Sequence, residues 1–189
     1  MIQVKDEWLD KLAQQISSDE EEYEIIKYGL RQCFLTLINL VSILICGVFW
    51  NEILFGLFLF LSIYLLRPYA GGYHADTQFR CYMISLGIMN VAMAGKKWLN
   101  MHIVVQISIY VSALLLIWKN APVENARNPL ENEEIQIYSY KAKLIVVCYG
   151  LLEGISIVLH KGILYDSFFY GVAITASLVL AGKWKYKKE

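Results

Sequence analysis

An all-α, polytopic membrane protein is predicted by this chain, and three observations carry that prediction. Of its 189 residues, 57% are hydrophobic and only 18% are charged, where soluble domains average about 45–50% and about 25%. Mean hydropathy is +0.44. The charges sit in short clusters that separate six apolar runs, at 32–50, 53–66, 79–95, 99–118, 144–159 and 163–182. The pattern reads as about six transmembrane or re-entrant helices behind an N-terminal amphipathic helix.

Residues 1–30 form a cytoplasmic or interfacial region, and 31–189 a single integral membrane domain. Val4, Trp8, Leu12 and Ile16 recur every four residues, with Leu9 and Ala13 beside them and charges opposite, which is the stripe of an amphipathic helix. A helix lying in the membrane interface and a helix packed on the protein's own face both need that stripe. Ser18-Asp19-Glu20-Glu21 reads as a capping box opening a second helix that runs into the membrane. With Asp6, Glu7 and Asp10 and no early apolar run, the N-terminus is unlike a cleavable signal peptide.

The first run is closed by Asn51-Glu52 and the second by Arg67-Pro68. A full span takes about 20 apolar residues, so 53–66 and 79–95 are short. Either both cross with help from flanking residues, or they form a re-entrant hairpin, which is tolerated where backbone lines a protein-enclosed cavity. The third run ends at Lys96-Lys97, and the last closes on Lys183-Trp184-Lys185-Tyr186-Lys187-Lys188.

Placing both termini inside leaves only Lys96, Lys97 and Lys161 outside and the other fourteen Lys and Arg residues inside. That asymmetry follows the positive-inside rule. It makes the stretch 67–81 cytoplasmic, and the turn-rich loop 119–141 with it. Composition alone reads that loop as a connector, although its mixed charge suits contact with a peptide.

Formal net charge is zero, which implies no nucleic-acid partner. The four cysteines, Cys33, Cys46, Cys81 and Cys148, form no CxxC pair, so neither a disulfide framework nor a zinc site is expected. No HExxH and no phosphate-cradling glycine motif occurs, and no metal or cofactor is expected.

Chemistry concentrates in Arg67-Pro68-Tyr69-Ala70-Gly71-Gly72-Tyr73-His74-Ala75-Asp76-Thr77-Gln78-Phe79-Arg80-Cys81. Ionisable side chains beside a membrane core are costly and default to function, and a cysteine with a histidine is the minimum of a thiol nucleophile and its base. On one straight helix His74 and Cys81 would share a face yet lie about 10.5 Å apart along the axis. The chain must therefore turn between them, and Gly71-Gly72 supply the backbone freedom. Cys81 then falls in the first turn of the third span, where a helix N-terminus favours a reactive thiol.

Asp76, two residues from His74, is a candidate to orient the imidazole. Ser85, one turn after Cys81, either donates to an oxyanion or bonds back to its own helix. Glu153, acidic and well inside an apolar run, either meets a basic group or makes a structural polar contact.

The spacing Arg-x3-Gly-Gly-x-His-x6-Cys, standing as Arg67, Gly71, Gly72, His74 and Cys81, resembles the accessory gene regulator protein B (AgrB) family. Ala121-Pro122 and Asn128-Pro129-Leu130 resemble that family's second recurring segment. The resemblance implies a bacterial, multi-pass membrane cysteine endopeptidase of quorum sensing, with His74 and Cys81 catalytic on the cytoplasmic side. Its implied partners are the lipid bilayer and a short precursor peptide with an amphipathic leader and an acidic tail. Cleavage would leave a Cys81 thioester that closes into a thiolactone or lactone signal. Arg67 is implied to support the site by binding the acidic tail, with Gly71 and Gly72 supporting it too. A homodimer is compatible with all of this. Two other classes compete, a peptide exporter or channel and a membrane scaffold without chemistry.

Overall fold

The computed structural model describes residues 7–17, 19–99, 101–124 and 130–187. Among the described residues seven helices follow one another: α1 (Glu7–Ile16), α2 (Glu20–Trp50), α3 (Ile53–Ala70), α4 (Gln78–Trp98), α5 (Ile103–Asn120), α6 (Asn132–Val158) and α7 (Gly162–Tyr186). Among the described residues there is no strand, only a single parallel bridge between Gly71 and Val123. The chain is thus an all-α, polytopic membrane protein. By length and composition α2, α3, α5 and α7 can each cross a membrane. At 21 and 27 residues, α4 and α6 are long enough but more polar.

Several helices extend past the apolar runs that announce them. Arg67-Pro68 does not stop α3, which continues to Ala70, because a proline in the last turn removes one backbone bond without breaking the turns before it. The start of α6 lies twelve residues before its apolar run, since the Glu131 side chain and Glu134 form a reciprocal capping box there. His102 caps α5, accepting from the Val104 N–H, so that helix opens at Ile103 rather than at Leu99. The cap of α2 is Asp19, which accepts from the Glu22 N–H at 2.8 Å; Ser18 lies outside the described residues. From there α2 runs unbroken through 31 residues, joining the polar start to the first apolar run.

On α1 the apolar stripe divides. Leu9 and Ala13 are buried against α2, while Trp8, Leu12 and Ile16 stay exposed. The helix therefore packs on its own protein with one edge and keeps a second apolar edge outward; Val4 lies outside the described residues. Asp10 ties the pair together through Lys27 at 2.8 Å and the Tyr23 hydroxyl at 3.0 Å.

Two apolar clusters meet at α3. One joins Leu66 and Ala70 to Tyr110, Tyr149, Phe169 and Val172 of α5, α6 and α7; the other joins Phe55 and Leu59 to Ile43 of α2 and to Met89 and Met93 of α4. Close approach of α3 and α7 depends on Gly171, where a Cβ would fall 1.9 Å from Ser62 Oγ. Small residues and buried hydroxyls are the usual means of packing helices in a membrane. Here Tyr149 donates to the Ser62 carbonyl at 2.6 Å, Tyr110 to the Tyr149 carbonyl at 3.0 Å, and Ser167 to the Phe55 carbonyl at 3.3 Å.

Candidate functional site

The helical path breaks between α3 and α4, and the break holds His74. At Gly71 φ is 67°, and at Gly72 it is 116°, backbone that L side chains rarely adopt. Neighbours also exclude a side chain at either glycine. A Cβ on Gly71 would lie 2.2 Å from the Val123 carbonyl oxygen, and one on Gly72 would lie 2.6 Å from Arg67 Nη1 and 2.7 Å from the Leu178 oxygen. The chain re-enters helix at Gln78, after Thr77 accepts from the Arg80 N–H. Cys81, half-buried, closes that first turn by donating its N–H to the Thr77 carbonyl at 3.0 Å.

Arg67 clips this loop from inside. Its Nη1 donates to the Gly71 carbonyl at 2.7 Å, and its Nη2 donates to the Tyr73 carbonyl. The end of α7 holds the loop from outside. Tyr73 N–H donates to the Leu178 carbonyl at 2.8 Å, and His74 N–H to the Tyr186 hydroxyl at 3.3 Å. Lys185 Nζ donates to the His74 carbonyl at 3.2 Å and to Asp76 Oδ1 at 2.8 Å. Gly182 makes room for this docking, since a Cβ there would sit 2.5 Å from Tyr73 N. The segment after α5 completes the clasp: Val123 N–H donates to the Ala70 carbonyl at 3.0 Å, following a cis Ala121-Pro122 peptide.

A cavity of about 900 Å³ opens beside the loop, walled by α2, α3, α4 and α7 and by Pro122, Val123 and Glu124. His74, Cys81, Arg67, Gly71 and Ser85 share that wall. Burial, then the positive charges of Arg67 and Lys185, push the His74 imidazole below its ordinary value. Histidine ordinarily titrates near 6.5, so His74 is neutral at neutral pH and able to accept a proton. Arg67 also interacts electrostatically with Cys81, so one guanidinium lies within reach of both. The pieces permit thiol chemistry with a neutral base.

The remaining sequence candidates divide. Gly72 and Asp76 are not part of the cavity wall; Gly72 shapes the loop, and Asp76 pairs with Lys185. The Ser85 hydroxyl bonds back to the Cys81 carbonyl at 2.9 Å. Glu153 is 4% exposed, and neither carboxylate oxygen has a hydrogen bond among the described residues. It makes no ion pair there either. No group of three His, Cys, Asp or Glu side chains among the described residues forms a metal-ligand set.

Sequence reading misses the role of Gly182, Lys185 and Tyr186, whose basic cluster reads only as a topological signal. It also undervalues the loop after α5. That loop is more than a connector, because Val123 pairs with Gly71 and helps wall the cavity.

Comparison with known proteins agrees with the motif. The family model described as "Accessory gene regulator B" matches residues 6–180. An AgrB-like protein of Clostridium perfringens is 27% identical over 185 residues, covering 93% of this chain and 85% of its own length. A second from that species is 28% identical over 159 residues, covering 80% and 74%. The accessory gene regulator protein B of Staphylococcus carnosus is 27% identical over 131 residues, covering 67% and 66%. No solved structure matches.

Proposed function

Because the chain belongs to the accessory gene regulator B family, we propose that it is a membrane-embedded cysteine endopeptidase that matures a quorum-sensing peptide. One observation carries this reading: His74 and Cys81 line the same cavity, with the helix broken between them. A neutral imidazole suits the base of a thiol nucleophile.

The substrate in this reading is a short precursor with an amphipathic leader, a central signal segment and an acidic tail, met on the cytoplasmic side. Cys81 sulfur attacks the carbonyl at the signal–tail junction while His74 takes the thiol proton. The C–N bond breaks, the tail departs as an amine carrying that proton, and the signal remains as a thioester on Cys81. An internal cysteine thiol or serine hydroxyl then attacks the thioester carbonyl and gives its proton back through His74. The ring closes as a thiolactone or lactone, and the Cys81 thiol is regenerated. A cavity among apolar helices favours cyclisation over hydrolysis by keeping bulk water from the acyl group.

The test uses full-length protein in liposomes with a synthetic precursor of that composition, cleavage and ring closure being followed by mass spectrometry. Cys81→Ala and His74→Gln are expected to abolish cleavage while leaving elution profile and helix content unchanged. Undiminished cleavage by Cys81→Ala would sink the protease reading and favour an exporter or scaffold.

A further inference from the structure

The wall of the cavity contributed by α2 is chemically unusual for its position. Of the four span-length apolar helices, α2 holds the most apolar 18-residue stretch and that stretch is the least buried, so polar residues in and beside it call for a purpose. Gln32, Thr36 and Asn39 all line the cavity, at spacings of four and three that put them on one helix face. Thr36 Oγ1 donates to the Gln32 carbonyl and Asn39 Nδ2 to the Leu35 carbonyl, both at 2.9 Å. Their own helix thus takes the Thr36 hydroxyl proton and one of the two Asn39 amide protons, leaving the hydroxyl lone pairs of Thr36 and the amide oxygen of Asn39 as acceptors beside one Asn39 N–H. Across the cavity Ser85 is spent in the same way on the Cys81 carbonyl. Gln32 makes no side-chain hydrogen bond among the described residues and offers both a donor and an acceptor.

A row of acceptors selects a ligand rich in N–H donors. Acyl chains offer none, whereas a peptide brings one at nearly every residue. An extended peptide presents N–H groups along one edge every two residues, about 6.7 Å apart, and the rise from Gln32 to Thr36 is about 6 Å. Peptide N–H groups buried away from water require such partners.

We propose that the Gln32–Thr36–Asn39 face of α2 is the substrate-positioning wall of the cavity, accepting backbone N–H groups of an extended precursor and setting its scissile carbonyl against Cys81. The assignment rests on the peptidase reading above and adds where and how the peptide lies.

The experiment is steady-state cleavage by the full chain in liposomes, using a synthetic precursor with an amphipathic leader, an internal cysteine and an acidic tail. Thr36→Val with Asn39→Leu is expected to raise KM at least tenfold with kcat within threefold, and Thr36→Ser, which keeps the acceptor, to retain the wild-type KM. N-methylating single backbone amides of the peptide, one at a time, removes the donor without touching the protein. At one or more positions before the scissile bond this should cost the wild type at least tenfold in kcat/KM and cost the double variant nothing further. An unchanged KM in the double variant overturns the proposal, as does tolerance of N-methylation by the wild type at every such position. Cys81→Ala is run in parallel. Cleavage by that variant would overturn the peptidase reading itself, whereas an inert Cys81→Ala beside an unaffected double variant overturns only the role of α2.

Discussion

Lys185 acts on His74 twice, by donating to its carbonyl and by adding a positive charge that disfavours the imidazolium. The sign of the second effect fixes a prediction. Lys185→Met removes a neighbouring cation, so the imidazole protonates more readily and the acid limb of kcat/KM for precursor cleavage moves to higher pH. Lys185 is near the surface, where solvent and salt screen its charge, and it is the last of the three causes acting on His74, so the displacement is small. A limb that moves to lower pH would contradict the electrostatics. Gly72 offers a steric test. Gly72→Ala must place a Cβ against Arg67 Nη1 and the Leu178 oxygen at φ 116°, a conformation that costs non-glycine residues about 1–3 kcal/mol. Cleavage is expected to fall at least tenfold while circular dichroism reports unchanged helix content.

Among elements, α1 is the one whose attachment rests on few side chains. Leu9 and Ala13 are its buried contacts with α2, and Trp8 meets Phe34 edge-on at 5.3 Å. Leu9→Asp buries an unpaired carboxylate there and is expected to release α1, read as a red shift in Trp8 emission in a variant lacking the other tryptophans. Hydrogen bonds from Lys27 and Tyr23 hold the Asp10 carboxyl below its ordinary range. Asp10 therefore stays ionised above that range, and its contribution to the tether is lost as pH falls through the lowered value. How much of this was legible varies with the physics involved. Apolar runs announce helices because burial in lipid demands them, and the Gly71-Gly72 pair announces the break because only glycine tolerates that backbone. The polar first half of α6 is illegible from hydropathy, since hydrogen bonds at Glu131 and Glu134 rather than apolar area start it. An Asn or Thr in an apolar run reads the same whether it faces a cavity or lipid, so the face of α2 emerges only with the cavity.

At the scale of the whole molecule, α3 joins the two apolar clusters and packs along α7. A ladder of buried hydroxyls links α5 to α6 and α6 to α3 through Tyr110, Tyr149 and Ser62. Tyr149→Phe removes the middle rung and leaves a buried carbonyl short of a donor. Such bonds in membrane bundles contribute about 0.6–1.7 kcal/mol, so thermal unfolding in detergent should show a modest loss of stability, with cleavage kinetics unchanged at temperatures where the variant stays folded. The candidate site depends on this scale more than its compact motif suggests. Local spacing places His74 and Cys81, but partners of their loop lie on α7, Leu178 for Tyr73 and Tyr186 for His74, the last 112 residues away in sequence.

That separation gives the protein a clock. A ribosome makes the chain from its N-terminus at about 5–20 residues per second, so the His74 loop is synthesised long before Leu178, Lys185 and Tyr186 exist to hold it. Until the last helix is in place the loop lacks these contacts, and the half-made chain carries His74 on a loop that α7 does not yet hold. If the chain is the peptidase proposed above, a half-made copy cannot cut other unfinished chains, and the final turn of α7 is what arms it.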